Sequence, residues 1–179
     1  MKKSAVAGAT TIVAGLIAAL FALPAQAANT TPSACSTHWG TGPRDKALMV
    51  QNKVRTVRAG QHACFDRLVV DLGVGRAPGY HVSYVRAFHA DGSGKLVRTS
   101  GQAKLLVVVR APATLSFNAT NRHLVSVAGF AEFRQVAGLG SFEGITSVGL
   151  GLKAKEPFRV FEFRTASHKV ELVIDVAHP

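Results

Sequence analysis

Cysteine occurs twice in 179 residues, tryptophan once and tyrosine twice, and 10 acidic residues face 21 Lys and Arg. Two cysteines are too few for the thiolate clusters that hold structural zinc. The seven histidines (His38, His62, His81, His89, His123, His168 and His178) form no His-Glu-x-x-His pattern, so neither a metal site nor a cofactor is expected. A Gly-x-Ser-x-Gly nucleophile elbow is missing. Gly138-Leu139-Gly140-Ser141 and Gly149-Leu150-Gly151-Leu152 lack the strand–turn–helix context of a phosphate loop. Those glycines are expected in turns and close strand packing. No apolar run after the N-terminal one approaches the ~20 residues of a membrane span. Long helical periodicity is absent too, which excludes a coiled coil, and the composition excludes collagen-like or disordered chains.

What is present starts with an export signal. Met1-Lys2-Lys3 is a basic n-region, Ala5 to Phe21 an apolar stretch, and Ala25-Gln26-Ala27 a small-x-small cleavage site. Cleavage is expected after Ala27, because no charged stop-transfer cluster follows to make the stretch an anchor. Lipidation is not expected: Cys35 lies well past the apolar run, after Pro32-Ser33-Ala34. The organisation is then a signal peptide over 1–27, an irregular arm over 28–47 carrying Trp39, and one β-domain over 48–179. Loss of Lys2 and Lys3 leaves 19 basic against 10 acidic residues, a net of +9.

An even cysteine count in an exported chain points to one disulfide, Cys35 to Cys64, tying the arm to the first long strand. Closing a loop of about 30 residues stabilises a fold by roughly 3.5 kcal/mol through chain entropy. The other reading, a free catalytic thiol beside His38 or His62, requires one cysteine to stay unpaired.

Period-two alternation dominates the rest. Leu48, Val50, Val54 and Val57 predict an edge strand with Gly60 turning the chain. Phe65 to Leu72 predicts a strand with Leu68, Val70 and Leu72 inward and Arg67, Val69 and Asp71 outward. Tyr80 to Val85 and the Asp91-Gly92-Ser93-Gly94 turn predict a hairpin. Leu105 to Val109 reads as a central strand covered on both faces. Leu124 to Phe130 reads as a strand and Ala131 to Val136 as a short helical turn. Ile145 to Leu152, Phe158 to Arg164 and Val170 to Val176 are three further strands, at the spacing of a small sandwich or barrel. Leu68-Val69-Val70-Asp71-Leu72 is echoed by Leu172-Val173-Ile174-Asp175-Val176, either a duplication or a coincidence in a Val-rich chain.

Chemistry is sparse. Asp71 and Asp175 are placed on the strand face opposite the core, where solvated or ion-paired roles prevail, with Arg67 and Glu171 as partners of one another. The excess of Lys and Arg favours anionic partners: wall polymers or anionic lipid surfaces before nucleic acid in an exported protein. Tyr80, Tyr84 and Phe88 could stack on sugars or join the core.

The order of segments resembles a known family. Cys35 to Gly40, His62-Ala63-Cys64-Phe65-Asp66-Arg67, Pro78-Gly79-Tyr80, the Asp91–Gly94 turn, Glu143-Gly144-Ile145-Thr146, Pro157-Phe158-Arg159-Val160 and Leu172 to Val176 are similar to the AMIN-like domain proteins secreted by actinobacteria. The resemblance implies an all-β, antiparallel β-sandwich with little helix. It further implies kinship with the AMIN module that targets amidases and secretin pores to the cell envelope through peptidoglycan. No amidase domain is expected with it, since such an enzyme's zinc ligands have no counterpart in the sequence. The expectation is therefore a secreted, non-enzymatic, wall-associated β-domain that binds peptidoglycan or another anionic wall polymer through basic residues, among them Arg67, Arg159 and Arg164. Arg159 and Arg164 alternate, so at most one shares a face with Arg67. The competing expectations are a small extracellular hydrolase built from Asp71, Asp175 and a histidine, and a protein-interaction or inhibitor module.

Overall fold

Alternating apolar residues can be buried only by stacking one sheet on another, and that is the architecture observed. The computed structural model describes Cys35 and residues 37–179; the expected leader and the start of the arm lie outside the described residues. The compact unit spans Ala34–Pro179. It is all-β, with antiparallel sheets and no helix among the described residues.

Sheet A has four strands in the order β10-β11-β3-β2: β2 (Thr56–Gln61), β3 (Phe65–Val74), β10 (Phe158–Arg164) and β11 (Lys169–Ala177). Sheet B has five in the order β1-β4-β7-β9-β8: β1 (Arg44–Lys46), β4 (Tyr80–Tyr84), β7 (Ala103–Val109), β8 (Phe133–Phe142) and β9 (Ile145–Leu152). A ribbon of β5 (Phe88–His89) and β6 (Leu96–Val97) completes the set. The inward faces merge into one core, with Val57, Leu68, Val70, Leu72, Leu172, Ile174 and Val176 from sheet A. Val82, Leu105, Val107, Val109, Val136, Val148, Leu150 and Leu152 come from sheet B. The echoed pentads are antiparallel neighbours, Leu172 opposite Val70 and Ile174 opposite Leu68, so each echo fills the same core from an adjacent strand.

The two outer faces are treated differently. On sheet B, β5–β6 lies over the strands and buries Phe88, Val97 and Leu139 in a second cluster with Leu106 packed against it. Gly149 makes room for the Phe88 ring, and a Cβ on Gly151 would stand 1.9 Å from the Ser100 carbonyl oxygen. The Gly-Leu-Gly runs thus serve close packing. The outer face of sheet A has no such cover among the described residues.

Several local expectations need correction. The edge strand starts at Thr56, and 47–55 is irregular, held by Val54 N–H to the Pro112 carbonyl and Thr114 N–H to that of Val54. Gly60 lies within β2. Arg44–Lys46, expected in the irregular arm, pairs with β4 as the edge of sheet B. The Asp91–Gly94 turn joins β5 to β6, while β4 pairs with β1 and β7. Leu124 to Phe130 is irregular apart from a bridge at Val125, and the expected helical turn opens strand β8. β8 hid its alternation because its register shifts between Phe133 and Gln135 and again between Gly138 and Gly140. Each shift reverses which parity faces the core.

Candidate functional site

Three cross-strand rows make up the uncovered face of sheet A. Arg159, Asp175, Arg67 and Gly60 lie side by side across β10, β11, β3 and β2. Phe161, Val173, Val69 and Arg58 form the second row, and Phe163, Glu171, Asp71 and Thr56 the third. Strand alternation forces all twelve to one side.

The first row is an ion-paired ladder. Asp175 is fully buried, and Arg67 grips it with Nε to Oδ1 at 2.6 Å and Nη2 to Oδ2 at 2.9 Å. Arg159 Nε donates to Oδ2 at 2.8 Å. The hydrogen bond to Asp175 raises the Arg67 pKa further above its ordinary value, outweighing desolvation. Both guanidinium groups rest on aromatic rings. Arg159 lies 4.4 Å from the Trp39 centroid and 5.1 Å from that of Phe161, and Arg67 lies 5.1 Å from that of Phe65. Trp39 meets Phe65 edge-on at 5.8 Å, which seats the arm beside the disulfide Cys35–Cys64. His62 stacks on Phe65 at 4.4 Å.

Below this ladder lies an open hollow of about 310 Å³, lined by Phe161, Phe163, Val69, Val173, His62, Gly60, Arg58, Arg67 and Glu171. Phe163 is half exposed, and Arg58 reaches over to pair with Glu171. Gly60 matters here because the side-chain row ends at it, leaving the Arg67 flank open. Rings beside fixed cations and an acid suit a polyhydroxylated ligand bearing charge. Larger hollows lie along His123–Gln135 and around Met49 and Val74, but neither brings aromatic rings and charge pairs to one sheet face.

The structure therefore brings Arg67 and Arg159 together on Asp175; Arg67 lines the hollow, while Arg159 stacks on Trp39 outside its lining. Arg164 lies on the other parity of β10, opposite Val170, and does not join them. The expected pairing of Arg67 with Glu171 is replaced by Arg67–Asp175 and Arg58–Glu171. Tyr80, Tyr84 and Phe88 are not on this face. Phe88 is buried, and the Tyr84 hydroxyl donates to the Glu156 carbonyl at 2.6 Å, its burial pushing its pKa upward. The useful rings are Phe161 and Phe163, placed in a strand by the sequence but without any signal of exposure or binding. Phe65 and Trp39 gave no such signal either.

For acid–base chemistry, the two outward aspartates are occupied. Asp71 Oδ1 accepts the Gly73 N–H at 2.7 Å, and no histidine among the described residues hydrogen-bonds Asp71 or Asp175. A carboxylate and an imidazole do meet elsewhere: His178 Nε2 lies 2.9 Å from Asp66 Oδ1. Asp66, fully buried, uses Oδ2 to accept the N–H groups of Glu132 and Phe133 at 2.7 and 2.8 Å. His178 Nδ1 faces the Ala63 carbonyl. The pair thus joins the start of β3 to the start of β8 and to the C-terminal residues, with no hydroxyl or thiol in the chain of contacts. No cluster of three potential metal ligands occurs among the described residues. No helix long and apolar enough to cross a membrane occurs among the described residues.

The fold is thus an antiparallel sandwich with one covered outer face and one open face of aromatic rings and paired charges. Residues 52–178 match the AMIN-like domain, and the chain belongs to that family, which relates it to the cell envelope. No curated protein matches the chain.

Proposed function

We propose that this is an exported, non-catalytic domain that binds an anionic polymer of the cell wall, peptidoglycan foremost, through the outer face of sheet A. The observation that carries this reading is the open hollow in which Phe161 and Phe163 lie beside Arg58 and Arg67, while the other outer face is sealed by its own ribbon. Sugar rings of a glycan strand stack on the phenylalanines, and peptide or glycan carboxylates meet the guanidinium groups. The net charge of the chain, +11 with the leader included, adds long-range attraction to an anionic wall.

Sedimentation with purified sacculi over a salt series tests it. Bound protein is expected to fall steeply towards a few tenths molar salt, where screening acts within about 8 Å or less. Phe163→Ser and Arg58→Ala are each expected to weaken binding about ten-fold with the fold intact. Absence of sedimentation at every salt concentration would remove the proposal, and release of soluble muropeptides would replace it with a hydrolase.

A further inference from the structure

Six large apolar side chains stand exposed among the described residues, and four of them are gathered at one end of the sandwich: Met49, Val74, Leu115 and Phe142. The topology puts them there. Val74 ends β3 and Phe142 ends β8, while the Met49 side chain abuts Gly144 in the β8–β9 turn. Leu115 rides on a loop sewn to this end by Val54 N–H to the Pro112 carbonyl and by Ala113 N–H to Ser141 Oγ. Leu115 is fully exposed, at 105%, and Val74 is 68% exposed.

Basic residues surround these tips. Lys169 lies directly across from Val74, Arg76 lines the hollow that Met49 and Val74 share, and the Arg55 side chain runs along Gly73. Lys53 is exposed on the same segment as Met49, and Arg164 ends β10 opposite Val170. The acids at this end are Glu143, beside Phe142; Asp71, whose Oδ1 holds the Gly73 N–H; Glu171, opposite Asp71 and paired with Arg58; and Asp91, next to Gly92 in the turn that the Phe142 ring abuts.

We propose that this end of the sandwich docks on an anionic lipid bilayer, with Leu115 and Phe142 entering the headgroup layer and Lys53, Arg76 and Lys169 meeting lipid phosphates. The apolar points stand on two strand ends and two loops divided by polar backbone, so a rigid protein partner would need a pocket for each. A bilayer interface accepts them all, and basic residues around apolar tips complement its negative surface potential. The surface is distinct from the hollow on sheet A, so this inference does not rest on wall binding.

The test uses the full chain recovered from a secreting host and vesicles of phosphatidylglycerol mixed with phosphatidylcholine, against phosphatidylcholine alone. Co-sedimentation with the anionic vesicles is expected, falling with salt. Leu115→Ser is expected to lower the partition coefficient about ten-fold, and Lys53→Gln with Arg76→Gln by a similar factor, while Phe163→Ser on sheet A leaves it unchanged. All variants carry the same leader processing, so their ratios report this surface alone, and unchanged thermal unfolding confirms their fold. The inference fails if anionic vesicles bring down no protein at any salt. It fails equally if Leu115→Ser binds like the parent, or if Leu115→Ser instead abolishes a concentration-dependent dimer, which would make a second copy the occupant. Sacculi sedimentation of Leu115→Ser at parental strength keeps the two surfaces separable.

Discussion

Arg67 and Asp175 face each other across β3 and β11, and the guanidinium closes on both carboxylate oxygens of an acid that has no exposed surface. Arg67→Ala would leave that buried charge to Arg159 alone. Removing one partner of a buried pair costs about 3–5 kcal/mol; the remaining contact and the partial exposure of Arg67 reduce the expected loss to roughly 2–3 kcal/mol by the same reasoning. Arg67→Ala combined with Asp175→Ala should cost less than the two single changes added together. Additive urea-unfolding values would show that the pair is not coupled as its geometry requires.

Asp66 holds two N–H groups at the start of β8 from its position on β3. Asp66→Ala leaves both donors buried without an acceptor and is expected to destabilise by about 2–6 kcal/mol, at 1–3 kcal/mol for each unmade hydrogen bond. Ser167→Ala, on an exposed turn, serves as the neutral control. A change below about 1 kcal/mol at Asp66 would mean water satisfies those amides.

Glu132 is fully buried; its Oε1 accepts the Ala154 N–H at 2.7 Å, and its Oε2 has no partner among the described residues. Burial pushes its pKa above the ordinary carboxyl value of 4.5, against the lowering by the Ala154 bond. A raised folded-state pKa means the folded chain binds more protons than the unfolded one, so this group's contribution to stability declines as pH rises from about 4.5 through the folded value. Glu132→Gln cannot ionise and should lack that decline. Urea midpoints at pH 4 and pH 7 are expected to shift in the variant's favour at the higher pH; an identical difference at both would refute the assignment.

The Cys35–Cys64 bridge spans 29 residues of sequence and secures the arm that carries Trp39. Loop-closure entropy assigns it roughly 3.5 kcal/mol. Cys35→Ser with Cys64→Ser should lower unfolding free energy by up to that amount. It should also shift Trp39 fluorescence to the red before global unfolding, as the ring leaves Phe65 and Arg159. A Trp39 signal that follows only the global transition would show the arm to be held without the bridge.

Much of the fold was readable along the chain wherever a strand kept one parity inward. β3 and β11 were expected close to where they occur because their alternation leaves a single way to bury the strand, β7 because it is an uninterrupted apolar run covered on both faces, and β9 and β10 as β-rich segments at sandwich spacing. β8 was not, since its two register shifts and its small residues erase the alternation, and β1 is too short to show any. Of the face on sheet A, the outward direction of Arg67 was legible from parity. Its partner was not, because Asp175 and Glu171 are both outward on the same strand and only the register decides which lies opposite.

Composition, leader pattern and cysteine count by themselves determined the basic character of the chain, the expectation of export and the pairing of its two thiols, because each depends on residue type and local order alone. Which outer face is covered and which rings sit beside which guanidinium was decided only by the tertiary structure. So was the gathering of four exposed apolar tips at one end. Those relations join residues distant in sequence, Arg67 with Asp175 and Arg159 with Trp39 being more than a hundred positions apart, and only strand register and the stacking of two sheets bring them within contact distance.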